Sequence, residues 1–248
     1  MLYISYGITR SGSTLLYKLT QGLAESLGFV QKQCQVATDS GHPGCNYSVQ
    51  NSQQNLEFFE SQGSGITVVK THEPPTEYVA SQLSSGNTLA NMSIRDPRDV
   101  ALSLLEKGLQ LRQRGFEEKA PFASLMTFDD VVVQLKSQLE VAMIWAGLPN
   151  IRIFRYEDTA INKYFPLHIM YYELLKKINP ANPNINFQKI IQGIDNRHTQ
   201  FNIGKSGRYA NHFSPEQQLE ILGLSEEYMS TYYPDAEIIT SESIPTKI

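Results

Sequence analysis

The stretch ISYGITRSGSTLLYKL, residues 4–19, has the residue types and spacing of a phosphate-binding loop. Gly7 and Gly12 are spaced as in the pattern G-x-x-x-x-G-K-[ST], and Thr14 fills its last position. Ser13 stands where that pattern has lysine. The stretch therefore predicts an anion site whose positive charge comes from elsewhere, although so short a pattern also fits an ordinary strand-to-helix turn.

A loop of this kind can hold an anion without the lysine. The first turn of the following helix leaves backbone N–H groups unpaired, and the helix dipole adds about half a positive charge there. Glycine lets the backbone close around an oxygen-rich group, and Arg10 brings a planar guanidinium from within the loop. The expected donors are Arg10, Ser11, Gly12, Ser13, Thr14 and Leu15.

A second strand-like stretch, GITVVK, ends in Lys70. Nucleotide phosphotransfer usually holds Mg²⁺ with a loop Ser or Thr and an Asp at the end of a neighbouring strand. A lysine at that position repels a metal ion and suits a transferred group whose charge is neutralised by side chains alone. A sulfuryl group carries less negative charge than a phosphoryl group, so these residues indicate transfer without a metal.

His72 lies two residues beyond Lys70, just after the same strand. Imidazole has an unperturbed pKa of about 6.5, which suits a base that removes a hydroxyl proton at physiological pH. Glu73 is an alternative base, and a pocket-edge histidine with no catalytic role is the ordinary alternative. Successive residues tend to point apart, so we expect one of the two to face the reacting group, and we favour His72.

Alternating strands and helices must position these residues. Short apolar stretches predict strands at 2–6, 65–70, 88–94 and in NIRIFRYED, which we expect to end in a turn. Helices are predicted from the loop to Gly28, from Pro97 to just before Gly108, at 129–145 and 165–177, and from Pro215, where Ser214 and Gln217 form a capping box. The alternation predicts an α/β fold, a three-layer sandwich with a central parallel sheet and helices on both faces.

Composition limits the class of protein. The 248 residues show no linker or repeat, which predicts one domain over 1–248, and the formal net charge of −4 argues against a nucleic-acid binder. No secretory segment or long apolar run is present, so we expect a cytoplasmic protein without a membrane span. Cys34, His42 and Cys45 lack the spacing of a metal site, so no metal is expected.

Three segments, RSGSTLL, VVKTHEPP and SIRDPRDVALSL, together resemble the sulfotransferases that use 3′-phosphoadenosine 5′-phosphosulfate, PAPS. FRYED, RHTQF and GKSGRYANHFSPEQ agree with weaker segments of that family, in the same order along nearly the whole chain. The resemblance implies the P-loop sulfotransferase fold and PAPS as cofactor, with adenosine 3′,5′-bisphosphate as its product.

The resemblance also implies roles for single residues. Arg10 would contact the 5′-phosphate and sulfuryl oxygens, Lys70 would contact the sulfuryl group, and His72 would be the general base. By their positions in the family's motifs, Arg95 and Ser103 would bind the 3′-phosphate, and Tyr156, Thr199 and Phe201 would contact adenine. Gly204 matches the glycine of the family's R-K-G segment.

Two positions depart from the family's pattern. Asn202 and Ile203 replace an Arg-Lys pair that would bind the 3′-phosphate, and Lys205 or Arg208 could substitute for it. Leu15 replaces an aromatic residue that would stack on adenine. We therefore expect altered contacts at the adenosine end of the cofactor.

Together these features predict an enzyme that moves a sulfuryl group from PAPS to a hydroxyl or amine acceptor. The acceptor would be a small molecule, a carbohydrate or a lipid, and neither its identity nor the oligomeric state follows from the sequence. Two alternatives are a P-loop kinase that uses ATP and Mg²⁺, and a module that binds adenosine 3′,5′-bisphosphate without catalysis.

Overall fold

A computed structural model describes residues 1–31, 49–61, 65–118, 122–178, 184–195 and 205–235. The described residues form two compact units, one within Met1–Ile94 and Ile144–Phe201 and the other within Arg95–Met143 and Asn202–Ile248. Each unit is described by itself below, and the single domain that the sequence predicts stays a prediction.

The strands and helices follow the predicted alternation. The strands are β1 Leu2–Gly7, β2 Thr67–Thr71, β3 Thr88–Ile94 and β4 Ile151–Arg155. The helices are α1 Ser13–Ser26, α2 Gln53–Ser61, α3 Glu77–Ser84, α4 Pro97–Gln113, α5 Phe128–Ala146, α6 Tyr156–Ile161, α7 Tyr164–Lys177, α8 Phe187–Asp195, α9 Pro215–Leu224 and α10 Glu226–Tyr232, with a short 3-10 helix at Arg208–Asn211. None of these helices has the length and apolar character needed to cross a membrane, as far as the described ranges extend.

A four-stranded parallel sheet in the order β2-β1-β3-β4 forms the centre of the first unit. Every residue of β1, β2 and β3 is buried, which is typical of a sheet covered on both faces. Tyr3, Val68 and Phe154 point to one face and pack against α1, α7 and α8. Tyr6 points to the other face and stacks on Trp145 of α5, with ring centroids 4.9 Å apart. The predicted central parallel sheet with helices on both faces is confirmed.

In the second unit, Asp96 caps the N-terminus of α4 by accepting a hydrogen bond from the Arg98 N–H at 2.9 Å, and Pro97 is the first helical residue. The capping box predicted for α9 is also present, because Ser214 and Gln217 each accept from the other's backbone N–H. These caps satisfy N–H groups that the first helical turn leaves without intrahelical partners.

The predicted end of α4 before Gly108 is wrong. The helix continues to Gln113, and Gly108 lies inside it. A Cβ at Gly108 would lie 1.9 Å from the carbonyl oxygen of Leu125, so glycine is needed there for close packing. The sequence suggested a helix stop because glycine often ends helices. Here the glycine is present because the backbone at Leu125 packs closely against the helix.

Helices α3, α8 and α10 were not predicted from the sequence, and α6 was misread. α3 begins after Thr76, whose hydroxyl accepts from the Val79 N–H at 3.3 Å, but its eight residues carry only a short apolar pattern. The turn predicted after β4 is instead the start of α6, whose first residue is Tyr156.

Candidate active site

The loop between β1 and α1 has the backbone conformation of a tight anion loop. Arg10 and Gly12 both have positive φ, 69° and 85°, and Gly12 is the N-cap residue of α1. Positive φ is uncommon for a residue with a side chain, so Arg10 is held in a strained conformation. A Cβ at Gly7 would lie 2.7 Å from the Ser13 Cβ, which leaves room only for glycine at the entrance of the loop.

Ser11 ties the loop to the end of β3. Its fully buried hydroxyl lies 2.7 Å from the Ile8 carbonyl oxygen and 2.9 Å from that of Ser93, and Ser93 Oγ donates to the Ser11 carbonyl at 2.6 Å. The Ser11 N–H donates to Ile8 at 3.1 Å, and the Leu15 N–H donates to Gly12 at 2.9 Å. The amide groups of Ser11 and Leu15, both expected anion donors, already have protein partners.

Lys70 is buried, with 2% of its surface exposed. It lies beside Ser5 of β1, which lies beside Asn91 of β3, on the same sheet face as Tyr3. Asn91 Nδ2 donates to Thr20 Oγ1 of α1 at 2.8 Å, so this polar row faces the helix that follows the loop. The structure places Lys70 on the α1 side of the sheet, and its contact with a sulfuryl group stays a prediction.

The imidazole of His72 is hydrogen-bonded to the loop. Its Nδ1 lies 2.6 Å from the carbonyl oxygen of Gly7. A carbonyl oxygen can only accept, so Nδ1 carries the proton and Nε2 has the free lone pair. Burial, and then the positive charge of Lys70, lower the pKa of His72 to about 4, although the bond to Gly7 acts in the opposite direction. The imidazole is therefore neutral at physiological pH.

The turn after His72 is fixed by side chains from other elements. The Glu73 carbonyl oxygen accepts from Trp145 Nε1 at 2.9 Å and from Asn51 Nδ2 at 3.2 Å. The Glu73 N–H donates to Thr71 Oγ1 at 3.1 Å. The Glu73 side chain itself is exposed, whereas His72 is partly buried and bonded to the loop. Of the two candidate bases, His72 has the fixed orientation that a base requires.

Tyr156 packs directly on the loop. A Cβ at Gly12 would lie 2.2 Å from Tyr156 Cδ2, and only 7% of Tyr156 is exposed. The ring belongs to the core cluster between the sheet and α1. In this structure Tyr156 supports the loop, and its predicted contact with adenine stays a prediction.

The predicted 3′-phosphate residues belong to the second unit. Arg95 is buried, and its Nη2 donates to the Lys205 carbonyl at 3.1 Å and lies 3.6 Å from Asp99 Oδ2. Ser103 is buried in α4, and the Lys205 side chain is exposed. Arg208 forms a two-pronged ion pair with Glu106, with Nη1 3.1 Å from Oε2.

Several predicted residues lie outside the described part of the chain. They are the predicted cofactor ligands Thr199, Phe201 and Gly204, the pair Asn202 and Ile203 that replaces the family's Arg-Lys pair, and Cys34, His42 and Cys45, which were considered as metal ligands. Within the described ranges, no group of three His, Cys, Asp or Glu side chains is placed to hold a metal ion.

Three solved structures share this architecture over most of their length. Mouse sulfotransferase SULT7A1 complexed with PAP has a TM-score of 0.58 and 14% identity, and the match covers 92% of this chain and 84% of the SULT7A1 chain. Retinol dehydratase in complex with androsterone and inactive cofactor PAP has a TM-score of 0.54 and 12% identity, covering 96% and 82%. Retinol dehydratase in a complex with retinol and PAP has a TM-score of 0.52 and 14% identity, also covering 96% and 82%.

No family model and no curated protein matches the sequence. The structural likeness shows that this chain has the sulfotransferase fold, which the sequence motifs imply. At 12–14% identity the likeness concerns the fold, and the chemistry has to be argued from the side chains.

Sequence reasoning missed the residues that hold the candidate site in place. Asn51 and Trp145 fix the Glu73 carbonyl, and Asp99 binds the segment at Gly207. No spacing in the sequence marks these contacts, because each joins residues more than 20 positions apart.

Proposed function

We propose that this protein transfers a sulfuryl group from PAPS to a hydroxyl or amine of a small acceptor, with His72 as the general base. The observation that carries the proposal is the bond of His72 Nδ1 to the Gly7 carbonyl oxygen at the entrance of the loop, two residues after buried Lys70. This arrangement attaches a neutral base to the same loop that offers N–H groups and Arg10 to an anion.

The donor set fits a phosphosulfate group. The loop combines a helix N-terminus, a glycine in the left-handed region and the guanidinium of Arg10, and Lys70 adds a second cation on the α1 side of the sheet. PAPS would supply the sulfuryl group and be left as adenosine 3′,5′-bisphosphate. The assignment of Arg95 and Ser103 to the 3′-phosphate rests on the sequence motif.

Each proposed residue has one task. Nε2 of His72 takes the proton from the acceptor as a new oxygen–sulfur or nitrogen–sulfur bond forms and the sulfur–oxygen bond to the leaving phosphate breaks. Lys70, Arg10 and loop N–H groups stabilise the negative charge that develops on the sulfuryl and leaving oxygens. Bound phosphosulfate would offset the charge of Lys70, so we expect it to raise the pKa of His72 and improve the base.

The first test separates nucleotide classes. Adenosine 3′,5′-bisphosphate at about 100 times its Kd should stabilise the protein by about 2.7 kcal/mol in a thermal-shift assay, and ATP with Mg²⁺ should give a smaller shift. A shift confined to ATP with Mg²⁺ would favour the kinase and refute the proposal.

The second test separates catalysis from simple binding. With labelled PAPS and a panel of small hydroxyl and amine acceptors, His72→Ala should lower turnover about 10²-fold or more while keeping affinity for adenosine 3′,5′-bisphosphate. Glu73→Ala is the matched control and should keep turnover. Bisphosphate binding with no turnover on any acceptor would instead indicate the non-catalytic module.

A further inference from the structure

Asp99 of α4 makes contacts that the proposed reaction leaves unexplained. Its carboxylate has 1% of its surface exposed, accepts the Gly207 N–H at 2.7 Å and accepts the Arg208 N–H at 3.1 Å. A buried carboxylate is costly unless charges and hydrogen bonds compensate it. Here two backbone N–H groups and the Arg95 guanidinium, 3.6 Å away, provide that compensation.

Arg95 is held at both its backbone and its side chain. The Tyr228 hydroxyl accepts from the Arg95 N–H at 3.2 Å and donates to the Arg95 carbonyl oxygen at 3.1 Å. Nη2 of Arg95 donates to the Lys205 carbonyl at 3.1 Å. The guanidinium therefore lies between the carboxylate of Asp99 and the segment 205–208, which Asp99 itself binds.

The Arg208 guanidinium of this segment also binds α4. It is paired with Glu106, about two helical turns beyond Asp99. The Gly207 and Arg208 N–H groups and the Arg208 guanidinium thus bind carboxylates of the protein. For Arg208, these contacts favour a supporting role over the role of replacement cation for the missing Arg-Lys pair.

We propose that Asp99 is a positioning residue for cofactor binding, and that it acts by holding the segment 205–208 on α4 so that Arg95 keeps a fixed orientation. This inference rests on the proposed function, because it takes Arg95 as the 3′-phosphate ligand. Asp99 carries negative charge and would not touch the phosphate itself. Its effect would therefore be on affinity for the nucleotide and not on the chemical step.

Asp99→Asn tests this, because an amide of the same size replaces one of the accepting oxygens with a donor. The Kd for adenosine 3′,5′-bisphosphate, measured by titration calorimetry, should rise about tenfold or more, since breaking a buried charge network is costly. The kcat at saturating PAPS should change less than about threefold. Glu106→Gln is the matched control, and its Kd should stay within about threefold of the wild type because that ion pair is more exposed.

A second variant keeps the test decisive if Asp99→Asn fails to fold. Gly207 has φ 77°, and a Cβ there would meet nothing within 4 Å, so Gly207→Ala strains the segment without a clash. It should raise the same Kd with α4 unchanged. A folded Asp99→Asn or Gly207→Ala variant with wild-type nucleotide affinity would overturn the inference.

Amide exchange separates this inference from the proposed function. In the wild type, the Gly207 and Arg208 amides should be protected from hydrogen exchange, and Asp99→Asn should expose both while Glu106→Gln should not. If these amides exchange equally fast in the wild type and in Asp99→Asn, Asp99 does not hold the segment. If the amides behave as expected but the wild type does not bind the bisphosphate, the proposed function fails and the positioning role for Arg95 fails with it.

Discussion

The protonation of His72 is set by its surroundings in the first unit. An isolated imidazole titrates near pH 6.5, but burial and the charge of Lys70 lower the pKa of His72 to about 4. The sequence predicted an imidazole that titrates near neutral pH, whereas in the structure His72 is neutral well below that pH. A base with a low pKa keeps its lone pair available, but it accepts a proton readily only when anionic charge arrives nearby.

His72 should titrate near pH 4 in a histidine NMR titration of the protein without nucleotide, with His72→Gln used to assign its signal. Lys70→Met should raise that midpoint because it removes a neighbouring positive charge. Lys177→Met, at an exposed position on α7, is the control and should leave it unchanged.

The same pKa sets the acid side of the activity profile. In the proposed mechanism the neutral form is the active base, so kcat/KM should be nearly constant as pH falls from about 7 to about 5, and should decline near pH 4. A His72 midpoint near 6.5, or a matching decline of kcat/KM near pH 6.5, would contradict the burial of this imidazole.

Among the elements, the loop and α1 are joined at a closely packed glycine. The loop enters α1 at Gly12, whose left-handed conformation brings the backbone against the ring of Tyr156. The far end of α1 is followed by Gly28, which also has a left-handed φ of 95° but no atom within 4 Å of its missing Cβ. Both ends of α1 thus use a glycine with positive φ, and they differ in how closely other atoms pack on it.

Gly12→Ala should lower affinity for adenosine 3′,5′-bisphosphate more than tenfold, because the new Cβ would overlap Tyr156 and add to a strain of about 1–2 kcal/mol. Gly28→Ala carries the strain without the overlap, so it should lose about 1–2 kcal/mol of unfolding free energy and keep nucleotide affinity. Calorimetric titration and urea unfolding measure the two effects. Equal nucleotide affinity in the two variants would show that the contact with Tyr156 does not shape the loop.

Across the whole molecule, the net charge is negative, but positive charge is concentrated at the candidate site. The formal net charge is −4, yet the candidate site of the first unit brings Arg10 and Lys70 to one loop and one neighbouring strand. Lys70 lies at the end of the strand next to β1, where metal-dependent phosphotransfer enzymes place an Asp. Fixed cations would therefore do the work of a metal ion.

Sulfuryl transfer from PAPS should proceed in excess EDTA within about twofold of the rate without it, because the proposed charge stabilisation comes from side chains and N–H groups. Added Mg²⁺ should not restore or raise the rate. The control is a Mg²⁺-dependent kinase assayed in the same buffers. A loss of activity in EDTA that Mg²⁺ restores would refute the assignment of Lys70.

Features that depend on neighbouring residues could be predicted from the sequence. The β3 run 88–94, the glycines around the loop and the capping box at Ser214 all follow from residues within a few positions, so they were predictable. The order of the motifs likewise predicted the fold. These signals are local, and local conformational preference is what a short stretch of chain encodes.

Features that depend on residues far apart in the chain could not be predicted and became visible in the folded structure. Burial lowers the pKa of His72, whose imidazole is bonded to Gly7, 65 positions away. The need for glycine at position 108 within α4 comes from close contact with the Leu125 carbonyl. Asp99 binds the N–H of Gly207, 108 positions away. Burial, close backbone approach and hydrogen bonding between distant segments exist only once the chain is packed, so no spacing in the sequence reports them.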